Sequence, residues 1–248
     1  MKSIPLLLLG ASLMATSAHA QSNGVEFTIG AGALAAPGYF GSDDYVIGPT
    51  GSFSLERLHF GSLSIGENGT SDGFGYHGGF RYIGERSSDE FSELEGLNDV
   101  DAAIELGGGL HYAADDYYLY ADVRYGVIGH ESLVAEVGAD AYYRPTNELT
   151  LAAGPRVLIG SDDYADTYFG VTAAEAAASG FDAFDPDAGV ISSGLEASAT
   201  YQFNDDWGVT GTVRYDLLRE DAADSPITAS DEQLSVGIVL TRSVSFGF

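Results

Sequence analysis

Runs of alternating apolar and polar residues recur along almost the whole chain, and this period of two constrains the fold more than any other feature. The segments are VEFTIGAGALA (25–35), TGSFSLERLHFGSLSIG (50–66), FGYHGGFRYIG (74–84), DAAIELGGGLHY (101–112) and YYLYADVRYGVI (117–128). They continue with LVAEVGADAYYR (133–144), LTLAAGPRVLIG (149–160), ISSGLEASATYQF (191–203) and WGVTGTVRYDLL (207–218). In the last segment Leu234, Val236, Ile238, Leu240, Val244, Phe246 and Phe248 share one parity, interrupted only by Arg242. Successive side chains of a strand point to opposite faces, so each run has one greasy face. Strands of soluble sheets average ~5–6 residues, whereas a tilted strand that crosses a bilayer needs ~9–11. No helical pattern supplies a second layer to cover these faces. The reading is all-β: a transmembrane antiparallel β-barrel.

The first twenty residues, MKSIPLLLLGASLMATSAHA, follow another pattern. Lys2 precedes an apolar stretch from Ile4 to Ala15, and Ala18-His19-Ala20 forms a small-x-small cleavage site. This predicts a signal peptide over 1–20 and a barrel over 21–248. The apolar stretch falls short of the ~20 residues that a membrane-anchoring helix needs. The chain has no Cys, which excludes a lipid-modified cysteine, disulfides and thiolate metal sites.

The connections fall into two classes. ENGTSD, AADD, RPTNE and NDD are short, while 36–49, 85–99, 161–190 and 219–232 are long. Outer-membrane barrels keep short turns in the periplasm and long loops outside. Ten strands with both ends periplasmic satisfy that alternation, with GHES (129–132) as the one short outer connection. The alternative is twelve strands, splitting 50–66 at Glu56-Arg57 and adding YADTYFGVT (164–172) as a strand.

Charge excludes one class of partner. The only lysine is Lys2, the formal net charge is −27, and 37 acidic residues face nine arginines. Nucleic-acid binding needs clustered cations, so no nucleic-acid partner is expected. The acidic runs Asp43-Asp44 and 161–166 offer hard oxygens, but they lack the spacing and glycine of an EF-hand loop. They read as solvated loops, and neither metal nor cofactor is expected.

APGYFGSDDYVIGP (36–49), GPRVLIGSDDY (154–164), TYFGVTAAEAAASG (167–180), DAADSPI (221–227) and the final Phe248 together resemble the MipA/OmpV family. The resemblance implies a Gram-negative outer-membrane barrel. It further implies association with murein-synthesising and murein-degrading enzymes, or a porin-like role. Phe246 and Phe248 resemble the terminal signal read by the barrel-insertion machinery. The expected partners are therefore outer-membrane lipid, that machinery, and a murein hydrolase or synthase.

The inward faces carry the remaining information. Counting across the turns pairs Glu105 with Arg124, Arg124 with Glu136, Glu136 with Arg156, and Glu196 with Arg214. Opposite charges on neighbouring strands are favourable neighbours, whereas on the lipid face each would cost roughly 2–4 kcal/mol near the midplane. The expectation is a charge belt inside the lumen, acting as a plug or as a selectivity filter. Outward aromatics (Tyr112, Tyr117, Tyr125, Tyr143, Tyr201, Trp207, Tyr215, Phe246 and Phe248) fit interfacial girdles. Of the histidines beyond the leader (His59, His77, His111 and His130), only His130 sits beside a nucleophile, in GHES. Adjacent residues of a tight turn seldom make a catalytic pair, so no enzymatic activity is expected.

Overall fold

A computed structural model describes residues 23–60, 63–65 and 73–247, with the side chains of 56–58 and 63–65 outside the description. The predicted signal peptide and Phe248 lie outside the described residues. Among the described residues, eleven strands form one antiparallel sheet: β1 (Gly24–Pro37), β2 (Tyr45–Phe60), β3 (Leu63–Ile65), β4 (Gly73–Ile83), β5 (Ala103–Ala113), β6 (Tyr117–Ile128), β7 (Leu133–Tyr143), β8 (Leu149–Gly160), β9 (Gly189–Gln202), β10 (Trp207–Leu218) and β11 (Glu232–Gly247). Ten are long, and β3 is a three-residue return against the end of β2. First and last strands pair, with Phe246 opposite Val25, and β2 comes alongside β4 to bring the sheet round into a barrel.

The outer face explains the alternation. Leu106, Leu110, Val123, Leu195, Val213, Val236, Ile238 and Leu240 are exposed there, where a bilayer replaces the missing second layer. Arg242 breaks the apolar row of β11, and its guanidinium carbon sits 5.2 Å from the Trp207 ring centre at the short-turn end. There the charge reaches the headgroup region while the aromatic covers its stem.

The twelve-strand alternative is overturned at both of its points. Residues 164–172 are not a strand, because α1 (Asp162–Phe169) occupies most of that stretch. Ser161 caps it by accepting from the Tyr164 N–H, and Asp162 and Asp163 complement its first turn. Nor does the chain break at Glu56-Arg57: β2 runs through, absorbing Glu56 as a one-residue bulge opposite Glu26 and Phe27. The long connections are also shorter and more ordered than expected. β1 and β2 extend into 36–49, and 161–190 contains α1 and α2 (Ala173–Ala178), while α3 (Glu220–Asp224) lies within 219–232.

The apolar core lies at one end of the barrel, where the long loops pack on the strand ends. Val134, Leu158, Tyr164, Ala165, Tyr168, Phe169, Ile191, Leu218 and Ala222 form one cluster, and Tyr39, Phe91, Leu94, Leu97, Val171 and Ile227 another. Hydrogen bonds interlock all four loops. Arg86 Nη1 donates to the Tyr168 carbonyl (2.9 Å), Ser225 Oγ to the Phe169 carbonyl (2.6 Å), and Ala229 N–H to the Gly41 carbonyl (2.8 Å). The loops thus fold into one cap over the outer mouth.

Candidate functional site: a charged belt across the lumen

The belt begins with what β5 lacks. Gly107 stands opposite Gly79 of β4 and Arg124 of β6, and Gly109 stands opposite His77 and Asp122. A Cβ on Gly107 would strike the Val123 carbonyl and the Arg124 backbone, and one on Gly109 would strike Asp122 Oδ1. Without those side chains, groups from β4 and β6 meet over β5.

Glu105 is fully buried and is the centre of one half. Arg81 Nη2 donates to its Oε1 at 2.7 Å and Arg124 Nε to its Oε2 at 3.0 Å. Arg124 Nη2 continues to Glu136 Oε2 at 3.7 Å. Glu136 also accepts from the Tyr120 hydroxyl (2.7 Å) and from Arg214 Nη1 (3.4 Å), which reaches it from three strands away. A second half joins Arg156 Nη2 to Asp140 (2.7 Å) and Glu196 (3.0 Å), and Arg214 Nε to Asp216 (2.6 Å). Pro155 explains another Arg156 contact. It has no N–H to give to β7, the ladder lapses beside it, and Arg156 Nη1 donates to the Ala139 carbonyl instead (2.8 Å). Arginine suits these positions because its fixed fork serves several acceptors at once.

A family model described as "MltA-interacting protein MipA" matches residues 29–244. The chain belongs to the MipA family. The MltA-interacting protein of Escherichia coli (strain K12) is 41% identical over 86 residues, which is 34% of each chain. The aligned stretch therefore spans about a third of that relative's length. Outer membrane protein Omp26La of Vibrio anguillarum is 26% identical over 260 residues, covering 96% of this chain and 97% of that one. Among solved structures, the COG4313 outer membrane channel from Pseudomonas putida F1 covers 90% of this chain and 96% of its own at 13% identity, with a TM-score of 0.43. The NanC porin covers 88% and 98% at 11% identity, with a TM-score of 0.37. The protein is an outer-membrane β-barrel.

In this MipA family member the expected belt residues share the inner face, but three of the four expected pairings shift. Arg124 stands opposite Gly107 and Val134, so it meets Glu105 and Glu136 diagonally. Arg156 stands opposite Gly138, and its partners are Asp140 and Glu196 rather than Glu136. Arg214 does stand opposite Glu196, at 3.9 Å, and makes its shorter contacts to Asp216 and Glu136. Moving the centre of a hairpin by one residue shifts its pairing by two, which leaves every side chain on its original face. Arg81, Tyr120, Asp122, Asp140 and Asp216 join the network without having been singled out in the sequence. Their signal was present in the inward parity of each strand.

The GHES turn also differs from expectation. Gly129 (φ 89°) and Glu131 (φ 47°) take left-handed conformations that bring His130 Nδ1 to 2.6 Å from Ser132 Oγ. His130 Nε2 approaches Glu105 Oε1 at 3.2 Å, off the N–H axis. Ser132 and His130 are thus hydrogen-bonded, with Glu105 beside them but out of line. The pair lies buried beneath Tyr164 and Tyr168, whose rings pack edge-on against His130 at 5.1 and 5.7 Å, so Ser132 has no room for a substrate. Phe246 is exposed on the outer face with its ring 6.1 Å from Phe27, across the β1–β11 join. Tyr117, Tyr125, Tyr143, Tyr201, Trp207 and Tyr215 are likewise exposed near strand ends, and Tyr112 is half-buried between Phe74 and Tyr117.

In the cap, burial would raise the Glu175 carboxyl pKa. Hydrogen bonds from Thr172 and Asn98 outweigh it and hold the group below its ordinary value. Burial, aided by the neighbouring Glu93, pushes the Tyr39 phenol up to about 12.

Proposed function

We propose that this MipA family protein is a plugged, non-catalytic envelope scaffold that docks a murein-processing enzyme at its short periplasmic turns. The observation that carries the reading is the belt itself. Arg214 of β10 and Arg124 of β6 converge on Glu136 of β7, so the wall is tied across the lumen. The cap adds a second closure, with Tyr164 fully buried above the belt. A barrel spent on a closed lumen leaves its rims as the working surface. The partner class follows from the name of the MltA-interacting protein relatives, which describes what those proteins bind.

The second reading is a small-solute channel. It draws support from a cavity of about 400 Å³ under the cap, lined by Arg81, Arg86, Arg214, Asp216 and Gln233 among others. The scaffold reading is tested with the barrel in nanodiscs and purified murein hydrolase and synthase. Photo-crosslinkers placed at 145–148 and 204–206 are expected to capture one of them, while positions in the cap capture neither. Capture from the cap alone, or from no position, would contradict docking at the short turns.

A further inference from the structure

Between the belt and the short turns, β4, β5 and β6 bring three further side chains together on the inner face, beside Asp122 of the belt. His77 Nδ1 lies 3.2 Å from His111 Nδ1 and 3.4 Å from the Tyr118 hydroxyl, and the rings of His111 and Tyr118 stack at 5.1 Å. On its other side, His77 Nε2 lies 2.7 Å from Asp122 Oδ1, reaching it over Gly109. Gly75 is required as well, because a Cβ there would strike the His111 ring.

Two imidazole nitrogens and a phenol oxygen thus gather at one place beside a carboxylate. A neutral His77 that gives its Nε2–H to Asp122 keeps one lone pair, on Nδ1. His111 Nδ1 and the Tyr118 oxygen both converge on that one acceptor. Asp122 Oδ1 is meanwhile buried with no well-aligned donor, although the imidazole nitrogen is close. A metal ion could take the place of those competing hydrogens: held by His77 Nδ1 and its two neighbours, it leaves the Nε2–H facing Asp122. Two nitrogens 3.2 Å apart, each at the ~2.0–2.1 Å of a metal–nitrogen bond, subtend about 100° at the ion, close to tetrahedral. A carboxylate behind a ligating imidazole is also the usual support of such a site.

We propose that His77 Nδ1, His111 Nδ1 and the Tyr118 oxygen bind a divalent transition-metal ion, with Asp122 orienting His77. Two imidazoles and a phenol oxygen suit Cu²⁺ or Zn²⁺, whereas Ca²⁺ and Mg²⁺ require oxygen cages. Among the described residues no three His, Cys, Asp or Glu side chains converge on a metal position, and here the tyrosine supplies the third donor. The His77 side chain is 24% exposed, so the ion can enter through water at the short-turn mouth. The inference does not depend on the scaffold reading.

The test uses the folded barrel without a histidine tag, titrated with Cu²⁺ or Zn²⁺. One ion per chain is expected, with a Cu²⁺ electron paramagnetic resonance spectrum showing two nitrogen ligands. Asp122→Asn should weaken Zn²⁺ binding by about 10–100-fold, and His77→Ala and His111→Ala should weaken it further. Affinity unchanged in both histidine variants would overturn the proposal. If those variants fail to insert, the wild-type spectrum decides alone: oxygen-only coordination, as from the acidic loops, overturns it.

Discussion

Arg81 of β4 and Tyr164 of α1 meet at the outer mouth of the barrel, with the guanidinium Nη2 donating to the phenol oxygen at 2.7 Å. The same nitrogen reaches Glu105 Oε1 at 2.7 Å, so one arginine ties the loop cap to the belt. Tyr164→Phe keeps the ring and deletes the acceptor, removing one part-buried hydrogen bond of the guanidinium at a cost of about 0.5–1.5 kcal/mol. The midpoint of urea unfolding of the folded barrel should fall accordingly. An unchanged midpoint would show that cap and belt are not coupled through this contact.

The shifted registers make a prediction about Glu136. It lies between Arg124 and Arg214, whereas Arg156 is held by Asp140 and Glu196. Glu136→Gln should therefore couple to Arg124→Gln and to Arg214→Gln in double-mutant cycles, by roughly 0.5–3 kcal/mol. With Arg156→Gln the effects should be close to additive. Strong coupling to Arg156 alone would restore the pairing counted from the turns and contradict the register described here.

The glycines of β4 and β5 are not equivalent. Gly107→Ala places a methyl against the Val123 carbonyl and Arg124 backbone, atoms that cannot rotate away. Gly78→Ala meets nothing within 4 Å. The first should reduce the yield of heat-modifiable, folded barrel and the second should leave it unchanged, as read by gel mobility before and after boiling. Equal yields would remove the argument that β5 is stripped of side chains to let β4 and β6 meet.

These contrasts show what was legible in the sequence and what was not. The ten long strands were legible because lipid on one side and a polar lumen on the other force strict alternation. The faces of Glu105, Arg124, Glu136, Arg156, Glu196 and Arg214 were legible for the same reason. Their partners were not, because register depends on where each hairpin turns. The β5–β6 turn centres on Asp115-Asp116, with Ala114 N–H bonded to the Tyr117 carbonyl, one residue from the counted centre. α1 was hidden because Tyr164, Tyr168 and Phe169 face a cap built by distant loops, and nothing local announces that face. The buried setting of His130 and Ser132 was hidden with it.

The cap should respond to acid. The Glu175 carboxyl is held below its ordinary pKa by bonds from Thr172 and from Asn98, which anchor α2 to the loop between β4 and β5. A depressed folded-state pKa contributes stability that is fully present above the unfolded value, ~4.3, and is lost as pH falls through the folded value. Protease resistance of 161–190 should thus hold at neutral pH and decline in that acid range. In Glu175→Gln it should be weaker at neutral pH and lose this component of its pH dependence. A variant as resistant as the wild type at every pH would show that the contact does not hold the cap.

The central claim is that belt and cap together close the lumen, and single-channel recording in planar bilayers tests it most directly. The purified wild-type barrel should insert without discrete conductance steps. A variant lacking the belt centre (Glu105→Ala with Arg124→Ala) and the cap contact (Tyr164→Ala) should conduct if it folds. Regular, ion-selective steps from the wild-type protein would contradict the plugged scaffold and establish the channel.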